Sequence, residues 1–110
     1  MVRVIESSVF TAWLTGQRDA RARTRVLARI SRLAAGNPGD VKSVGQGISE
    51  LRIDYGPGYR VYFSQRGSVA ILLLVGGDKR TQDRDIKRAK DILKAFESQE
   101  THHGKEGTTY

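Results

Sequence analysis

The stretch Val69-Ala70-Ile71-Leu72-Leu73-Leu74-Val75 is apolar at all seven positions and runs into Gly76-Gly77-Asp78. A strand that is apolar on both of its faces is typical of the interior of a sheet covered on both sides. Seven residues are too few to cross a bilayer, which takes about 20 apolar residues. We therefore expect residues 68–75 to form the central strand of a soluble domain, with no membrane partner.

Two further strands precede this one. The segments Ile48 to Tyr55 and Tyr59 to Gln65 are rich in β-branched and aromatic residues and are bounded by Gly56-Pro57-Gly58 and Arg66-Gly67. Two hairpins in succession predict an antiparallel meander. Residues 37–47 contain several glycines and a proline, and we interpret them as a loop.

Helical periodicity accounts for most of the remaining chain. After an edge strand from Val2 to Glu6, Ser7 is placed to cap a short helix and Asp19 to cap a second one that ends near Ala35. The apolar stripe of the second helix consists of Val26, Leu27, Ile30, Leu33 and Ala34. A last helix is predicted from about Thr81 to residues 96–99. The order β-α-α-β-β-β-α predicts an α+β fold, with the domain at residues 1–99 and a polar, mobile tail at residues 100–110.

Composition limits the kinds of function. The chain has 110 residues, 19 Lys and Arg against 12 Asp and Glu, and a formal net charge of +7, which favours a polyanionic or acidic partner. It has no cysteine, and its two histidines, His102 and His103, are adjacent in the tail. We therefore expect no disulfide, no metal site and no cofactor. The N-terminus lacks a long apolar segment, so we expect a cytoplasmic protein.

Three groups of polar residues are candidates for chemistry. The first is the arginine face of the second helix, whose members lie four, four and three residues apart: Arg21, Arg25, Arg29 and Arg32. An exposed row of this kind attracts phosphates without selecting a sequence. The alternative is a solvated helix face.

The second group lies on neighbouring strands. Glu50, Arg52 and Asp54 share one strand face because alternate residues point the same way. Arg60 lies on the next strand, and only the cross-strand register decides whether it meets Arg52. A meeting of the two guanidiniums predicts a fixed phosphate clamp. The alternative is a salt-bridged set with Glu50 and Asp54.

The third group follows the central strand, in Gly76-Gly77-Asp78-Lys79-Arg80-Thr81-Gln82-Asp83. Glycines allow close backbone approach, and a helix N-terminus with Lys79 and Arg80 beside it attracts an anion. The alternative is a capped helix start with Thr81 or Asp78 as the cap. The spacing does not match a P-loop.

Several short motifs, in order, resemble the RelE/ParE superfamily, and in particular its phage-related HigB-like subgroup of addiction module killer proteins. The motifs are Phe10-Thr11-Ala12-Trp13-Leu14, Gly36-Asn37-Pro38-Gly39-Asp40-Val41-Lys42, Glu50-Leu51-Arg52-Ile53, Tyr55-Gly56-Pro57-Gly58-Tyr59-Arg60-Val61-Tyr62-Phe63, Gly76-Gly77-Asp78-Lys79 and Thr81-Gln82-Asp83-Arg84-Asp85-Ile86. The resemblance covers about residues 3–96. It implies a microbial-ribonuclease-like fold and a toxin that cuts mRNA in the ribosomal A site. It also implies neutralisation by a cognate antitoxin, expected to carry a HigA-like helix-turn-helix.

The resemblance also implies site residues. Arg52, Arg60, Lys79 and Arg80 match basic positions of the family. Glu50 stands where RelE itself has a basic residue, and Tyr110 lies too far along the chain to match the C-terminal tyrosine of RelE.

RNA cleavage of this type needs a base for the 2′-OH, cations for the phosphorane and an acid for the leaving 5′-oxygen. We expect the arginines, with Lys79 and Arg80, to hold the phosphate without a metal. The candidate bases are Lys79, Glu50, Tyr55 and Tyr59, and Gln82 and Asp85 are candidate supporting residues.

Two other functions fit the same sequence. A non-catalytic inhibitor of DNA gyrase, as ParE-like members are, would share the fold implied by the resemblance, although it has no need to gather basic residues in one groove. A simple RNA- or DNA-binding module is disfavoured because the chain lacks paired strand aromatics of the RNP type and a helix-turn-helix.

Overall fold

The computed structural model describes residues 2–106, with side chains described for residues 2–99. Residues 2–106 form five strands, three α-helices and one 3-10 turn, so the predicted α+β class is confirmed. In chain order the elements are β1 (Arg3–Glu6), α1 (Ser8–Thr15), α2 (Ala20–Ala34), β2 (Val41–Gly45), β3 (Ile48–Ile53), β4 (Tyr59–Arg66), β5 (Ala70–Asp78), the 3-10 turn (Lys79–Thr81) and α3 (Gln82–Glu106).

The sheet has the strand order β1-β5-β4-β3-β2 and is mixed. Strands β2 to β5 form an antiparallel meander, as predicted for the last three of them. Strand β1 is at the edge, as predicted, but it runs parallel to β5, with Arg3 opposite Ala70 and Glu6 opposite Leu73. The direction of β1 was not specified by the sequence pattern, and its parallel pairing makes the sheet mixed. The two helices between β1 and β2 carry the chain from one edge of the sheet to the other.

Strand β5 is buried on both faces, as its sequence predicts. Ile71 and Leu73 pack on the side of α1 and α2, against Phe10 among others. Leu72 and Leu74 pack on the side of α3. Full burial of each such side chain contributes about 1.5–3 kcal/mol, so the two clusters supply most of the hydrophobic stabilisation.

The prediction of a loop at residues 37–47 is wrong, because residues 41–45 form strand β2. Val41 packs into the core on the α2 side and Val44 into the core on the α3 side, which is strand alternation. The β2–β3 hairpin turns through Gln46 and Gly47, both with positive φ (55° and 78°), as a two-residue type I′ turn requires. Glutamine is an unusual residue in this position, and this is why the turn signal is weak.

The helices begin where capping residues predict. Ser7 accepts a hydrogen bond from the Phe10 backbone and Asp19 accepts from Arg21 and Ala22. One assignment in α2 is wrong, since Leu27 is 50% exposed and does not belong to the buried stripe. Position 27 directly follows the buried Val26 and turns away from the core.

Helix α3 continues to Glu106, so its predicted end near residues 96–99 is wrong. No proline or glycine interrupts the sequence before Gly104. Residues 107–110, part of the tail predicted to be mobile, lie outside the described residues, as do the side chains of His102 and His103. Within residues 2–106, none of the helices combines the length and the apolar character that crossing a bilayer requires.

Candidate active site

The cross-strand register brings the two predicted strand arginines together. Arg52 of β3 is directly opposite Arg60 of β4, and Glu50 is directly opposite Tyr62. Because alternate residues share a face, all four side chains lie on the α3 side of the sheet. Two like-charged guanidiniums in adjacent positions repel each other unless a counter-charge lies between them.

Glu50 supplies that counter-charge. Its carboxylate is 1% exposed. One oxygen, Oε1, accepts a hydrogen bond from Arg52 Nε at 3.0 Å and lies 3.8 Å from Arg60 Nε. The other, Oε2, accepts from Tyr62 Oη at 2.9 Å and from Gln82 Nε2 at 2.8 Å. Glu50 thus connects β3, β4 and the start of α3 through one buried group.

The balance of forces keeps Glu50 ionised. Burial by itself would raise the pKa of Glu50, but hydrogen bonds from Gln82, Arg52 and Tyr62 and the charge of Arg60 outweigh it and lower the pKa below its usual value. Burial and the bond to Glu50 raise the pKa of Tyr62, which therefore stays neutral and donates. The hydrogen bond to Glu50 raises the pKa of Arg52. The alternative interpretation of a salt-bridged set is thus correct for Glu50, and it coexists with the convergence of the two arginines.

Arg60 is the most buried cation of the site, at 8% exposed. Its Nη1 donates to the carbonyl oxygens of Gly58 and Tyr59, both at 3.2 Å. Its Nε is buried and has no hydrogen-bond partner among the described residues. The guanidinium is therefore fixed in orientation before any ligand arrives, as a preorganised anion-binding group must be.

A cleft of about 420 Å³ opens beside the arginine pair. We call it the arginine cleft; its lining comprises Asp40, Arg52, Ile53, Asp54, Gly58, Arg60, Lys79 and Gln82. Lys79 is exposed at its rim. Gly58 has a φ of 80°, and a Cβ there would lie 3.4 Å from Arg60 Nη1 and 3.5 Å from Lys79 Cβ. The positive φ, more than the space around Cβ, favours glycine at this turn between Arg60 and Lys79.

The arginine cleft also contains two carboxylates, and only one of them, Asp54, was expected from the sequence. Asp54 follows β3, and its proposed role was limited to pairing with arginine. Asp40 precedes β2, and its carbonyl oxygen accepts a hydrogen bond from the Arg52 backbone at 2.9 Å. Its position follows from the pairing of β2 with β3, so it could not be inferred while residues 37–47 were interpreted as a loop.

Arg80 lies outside the arginine cleft. Its Nη2 is 3.1 Å from Asp78 Oδ2, and its backbone N–H donates to Asp78 Oδ1 at 2.8 Å. The bond from Arg80 lowers the pKa of Asp78, and the bond to Asp78 raises the pKa of Arg80. Asp78 and Thr81 form a capping box, so the capped-helix alternative describes this segment well.

Asp85 lies beneath the 3-10 turn. It is 2% exposed and accepts a hydrogen bond from Thr81 Oγ1 at 2.5 Å. A Cβ on Gly77 would lie 1.9 Å from Asp85 Oδ2, so the close backbone approach predicted for this glycine serves helix packing. Asp85 does not line the arginine cleft and instead supports the turn that carries Lys79.

Tyr55 and Tyr59 lie across the sheet from the arginines. Their rings stack on each other at 6.4 Å and pack against the α1–α2 core. Tyr55 Oη donates to Asp19 Oδ2 at 3.0 Å, and this bond raises the pKa of Tyr55 and lowers that of Asp19. The structure therefore does not bring either tyrosine to Arg52 and Arg60. Tyr110 lies outside the described residues.

The arginines of α2 separate into two kinds. Arg21, Arg25 and Arg32 are exposed, and Arg25 lies 4.6 Å above the Tyr55 ring. Arg29 is half-buried. It donates to the carbonyl oxygens of Arg52 at 2.5 Å and Pro38 at 3.0 Å, and so attaches the helix to β3 and to the loop before β2.

No cluster of three or more His, Cys, Asp or Glu side chains within the described part of the chain has the arrangement needed to hold a metal ion. The cationic side chains that line the cleft are Arg52, Arg60 and Lys79. Chemically, this arrangement can bind and polarise a phosphate group.

Comparison with known proteins identifies the family of the chain. Residues 13–97 match the family described as "Phage derived protein Gp49-like (DUF891)". The chain is also 51% identical over 89 residues to an uncharacterized protein of Haemophilus influenzae strain Rd, a match that covers 81% of this chain and 90% of the relative. The matched region spans α2, the whole meander and most of α3, and so includes every residue of the arginine cleft. The chain therefore belongs to the phage-derived Gp49-like family.

Proposed function

We propose that this protein is the toxin of a type II toxin–antitoxin module and acts as a metal-independent mRNA endoribonuclease on the ribosome. The observation that supports this best is the pair Arg52 and Arg60, set opposite each other and fixed by the buried Glu50. The resemblance to HigB-like members of the RelE/ParE superfamily and the Gp49-like family membership favour the same function.

In this proposal Arg60 and Arg52 bind the scissile phosphate. The 2′-oxygen attacks phosphorus, the bond to the 5′-oxygen breaks, and the products are a 2′,3′-cyclic phosphate and a 5′-hydroxyl. Guanidiniums fixed before the reaction stabilise the extra negative charge of the phosphorane without reorganisation. Removing one such group typically costs about 10²–10³ in rate.

The positions of the candidate bases narrow the choice for proton transfer. Tyr55 and Tyr59 lie on the far side of the sheet, and both oxygens of Glu50 are already engaged. Lys79 and Asp54 line the cleft. We assign Lys79 as the proton donor to the leaving oxygen and Asp54 as the acceptor of the 2′-OH proton.

The proposed partners are the ribosome with its mRNA and an antitoxin of the HigA-like helix-turn-helix type, in the cytoplasm. The net charge of +7 favours association with all of these polyanionic or acidic surfaces.

The test is to map the 5′ ends of mRNA by primer extension in a cell-free translation reaction with the purified protein, with and without ribosomes. New ends at fixed codon positions that need ribosomes are the expected result. Ends in naked RNA as well would show a ribonuclease that acts without the ribosome. Intact mRNA, with a protein that still arrests growth when it is expressed in cells, would contradict the proposal and favour the gyrase inhibitor.

A further inference from the structure

A second depression of about 440 Å³ lies between α1 and α3, over the carboxyl end of β5. We call it the Trp13 groove. Trp13 of α1 forms one wall, Arg84 and Arg88 of α3 form the other, and Val75 and Gly76 lie at its base. None of these residues takes part in the chemistry assigned to the arginine cleft.

Trp13 is held rigidly. A Cβ on Gly76 would lie 2.0 Å from Trp13 Cε3, so the indole rests directly on the backbone of β5. The ring also contacts Phe10 at a centroid distance of 5.8 Å and Tyr59, edge-on, at 6.1 Å. Trp13 is only half-buried, and its accessible part faces the groove. A fixed, accessible aromatic ring is a suitable surface for stacking an unpaired base.

Charge in the groove favours the phosphates that accompany such a base. Arg84 and Arg88 are one helical turn apart and both exposed. Arg84 Nε is 3.6 Å from Asp85 Oδ1, yet its side chain is 74% exposed and free to turn toward a ligand. Asp85 is the acidic lining residue and is largely occupied by Thr81. The groove therefore presents two guanidiniums next to an aromatic ring.

The Trp13 groove connects with the arginine cleft. A third depression, of about 370 Å³, follows the 3-10 turn and is lined by residues 79–84. It shares Lys79 and Gln82 with the arginine cleft and Arg84 with the Trp13 groove. The three depressions follow one another around the start of α3, and the linings there carry Lys79, Arg80, Arg84 and Arg88 against Asp83 and Asp85.

We infer that single-stranded RNA follows these three depressions from the arginine cleft, with a base flanking the scissile phosphate stacked on Trp13 and its phosphates contacted by Arg84 and Arg88. The inference rests on the proposed function, because it assigns the second part of the same RNA path. It makes Trp13 and the two arginines determinants of substrate binding that lie outside the reacting centre.

Trp13 is the single tryptophan of the chain, so its fluorescence reports on the groove directly. The experiment titrates the full-length protein with an uncleavable 2′-O-methyl oligoribonucleotide of about ten nucleotides, a length within the usual site size. We expect saturable quenching that weakens with salt. The double variant Arg84→Ala, Arg88→Ala should bind about tenfold more weakly and lower the salt slope by about 1.4, since each phosphate contact on a single strand contributes about 0.7.

The matched control is Arg3→Ala. Arg3 is an exposed arginine on β1 opposite Ala70, at the other end of β5 from Gly76. It should leave the quenching curve almost unchanged. Inorganic polyphosphate, which carries charge but no bases, should bind without quenching Trp13.

Several outcomes would overturn the inference. These are RNA binding seen by anisotropy without quenching, equal quenching by polyphosphate, and equal weakening by Arg3→Ala. A failure of the proposed function would be seen separately. If RNA quenches the fluorescence of Trp13 but no mRNA is cleaved, the groove binds RNA as inferred and the protein is not a nuclease. If mRNA is cleaved but RNA never quenches Trp13, the protein is a nuclease and the inference about the groove is wrong.

Discussion

The arginines on the sheet and the arginines on α2 show how differently the same side chain is used in this molecule. Arg52 and Arg60 are directed by a buried carboxylate, so their guanidiniums have one orientation. Arg21, Arg25 and Arg32 are exposed on a helix, where no buried carboxylate directs the guanidiniums. Fixed charge suits a reacting phosphate, whereas mobile charge suits general attraction of a polyanion.

Arg29 belongs to neither kind. It lies on the helix with the exposed set, yet its hydrogen bonds go to backbone carbonyls of β3 and of the loop before β2. The comparison therefore teaches that the partners of an arginine, more than its element, determine its role. Five experiments test that distinction.

The largest effect is expected from Arg60→Ala. Loss of the fixed guanidinium should lower the rate of mRNA cleavage by about 10²–10³, with little change in the circular dichroism spectrum. The measurement is a cleavage time course in the translation reaction, with Arg3→Ala as the control. If the Arg60→Ala protein folds and cleaves mRNA at the wild-type rate, Arg60 has no role in the reaction.

Glu50→Gln should have the largest effect on stability. The substitution keeps the shape but leaves Arg52 and Arg60 opposite each other without a counter-charge, which typically costs about 3–5 kcal/mol. Thermal unfolding should show a Tm lowered by more than about 10 °C. The control is Glu97→Gln, which removes a surface ion pair to Arg66 and should cost less than about 1 kcal/mol. Equal shifts of Tm in the two variants would mean that Glu50 contributes no more to stability than a surface ion pair does.

The Glu50 carboxylate should also determine how strongly acid lowers the stability of the protein. The folded pKa of Glu50 is lowered, so its contribution to stability is complete above the unfolded value of about 4.5 and is lost as pH falls through the folded pKa. The free energy of unfolding of the wild type should therefore fall steeply below about pH 4.5. Glu50→Gln should show a shallower fall, measured by urea unfolding at several pH values. If the free energies of unfolding of the wild type and Glu50→Gln fell in parallel with pH, Glu50 would not be the group responsible for the acid sensitivity.

Arg29→Ala should be destabilising by about 1–3 kcal/mol, because the carbonyl oxygens of Arg52 and Pro38 lose a charged hydrogen-bond donor. Arg32→Ala, three residues along the same helix, should stay within about 0.5 kcal/mol of the wild type. Chemical denaturation measures both. Equal free energies of unfolding for the two variants would mean that Arg29 stabilises the fold no more than the exposed arginines do.

The smallest effect is expected from the combined substitution of Arg21, Arg25 and Arg32 by alanine. The salt slope of RNA binding should fall by at most about 2, at about 0.7 per phosphate contact, and the rate of cleavage at saturating RNA should not change. A loss of cleavage comparable to that of Arg60→Ala would erase the distinction between fixed and mobile charge.

Much of the fold could be predicted from the sequence because its signals are strong. The apolar run that forms β5 and the caps at Ser7 and Asp19 each depend on local chemistry alone. Strand β2 was missed because Gln46 adopts a positive φ that few glutamines adopt, and the parallel pairing of β1 was missed because no local signal specifies it.

The site was predictable in its composition but not in its arrangement. Alternation placed Glu50 and Arg52 on one face, yet their meeting with Arg60 and Tyr62 depends on register, which is a long-range property. The separation of Tyr55 and Tyr59 from the arginines follows from the same alternation once the register is known. Asp40 required β2, and the packing of Asp85 on Gly77 required the position of α3.

The parallel pairing of β1 has a consequence for the order in which the molecule is made. The first strand to leave the ribosome forms its hydrogen bonds with Ala70 to Leu73, and Ser7 Oγ donates to the Leu74 carbonyl oxygen at 2.6 Å. These partners are synthesised some 67 residues later. The sheet cannot close until most of the chain has been translated, so a nascent copy remains incomplete while its own message is being read.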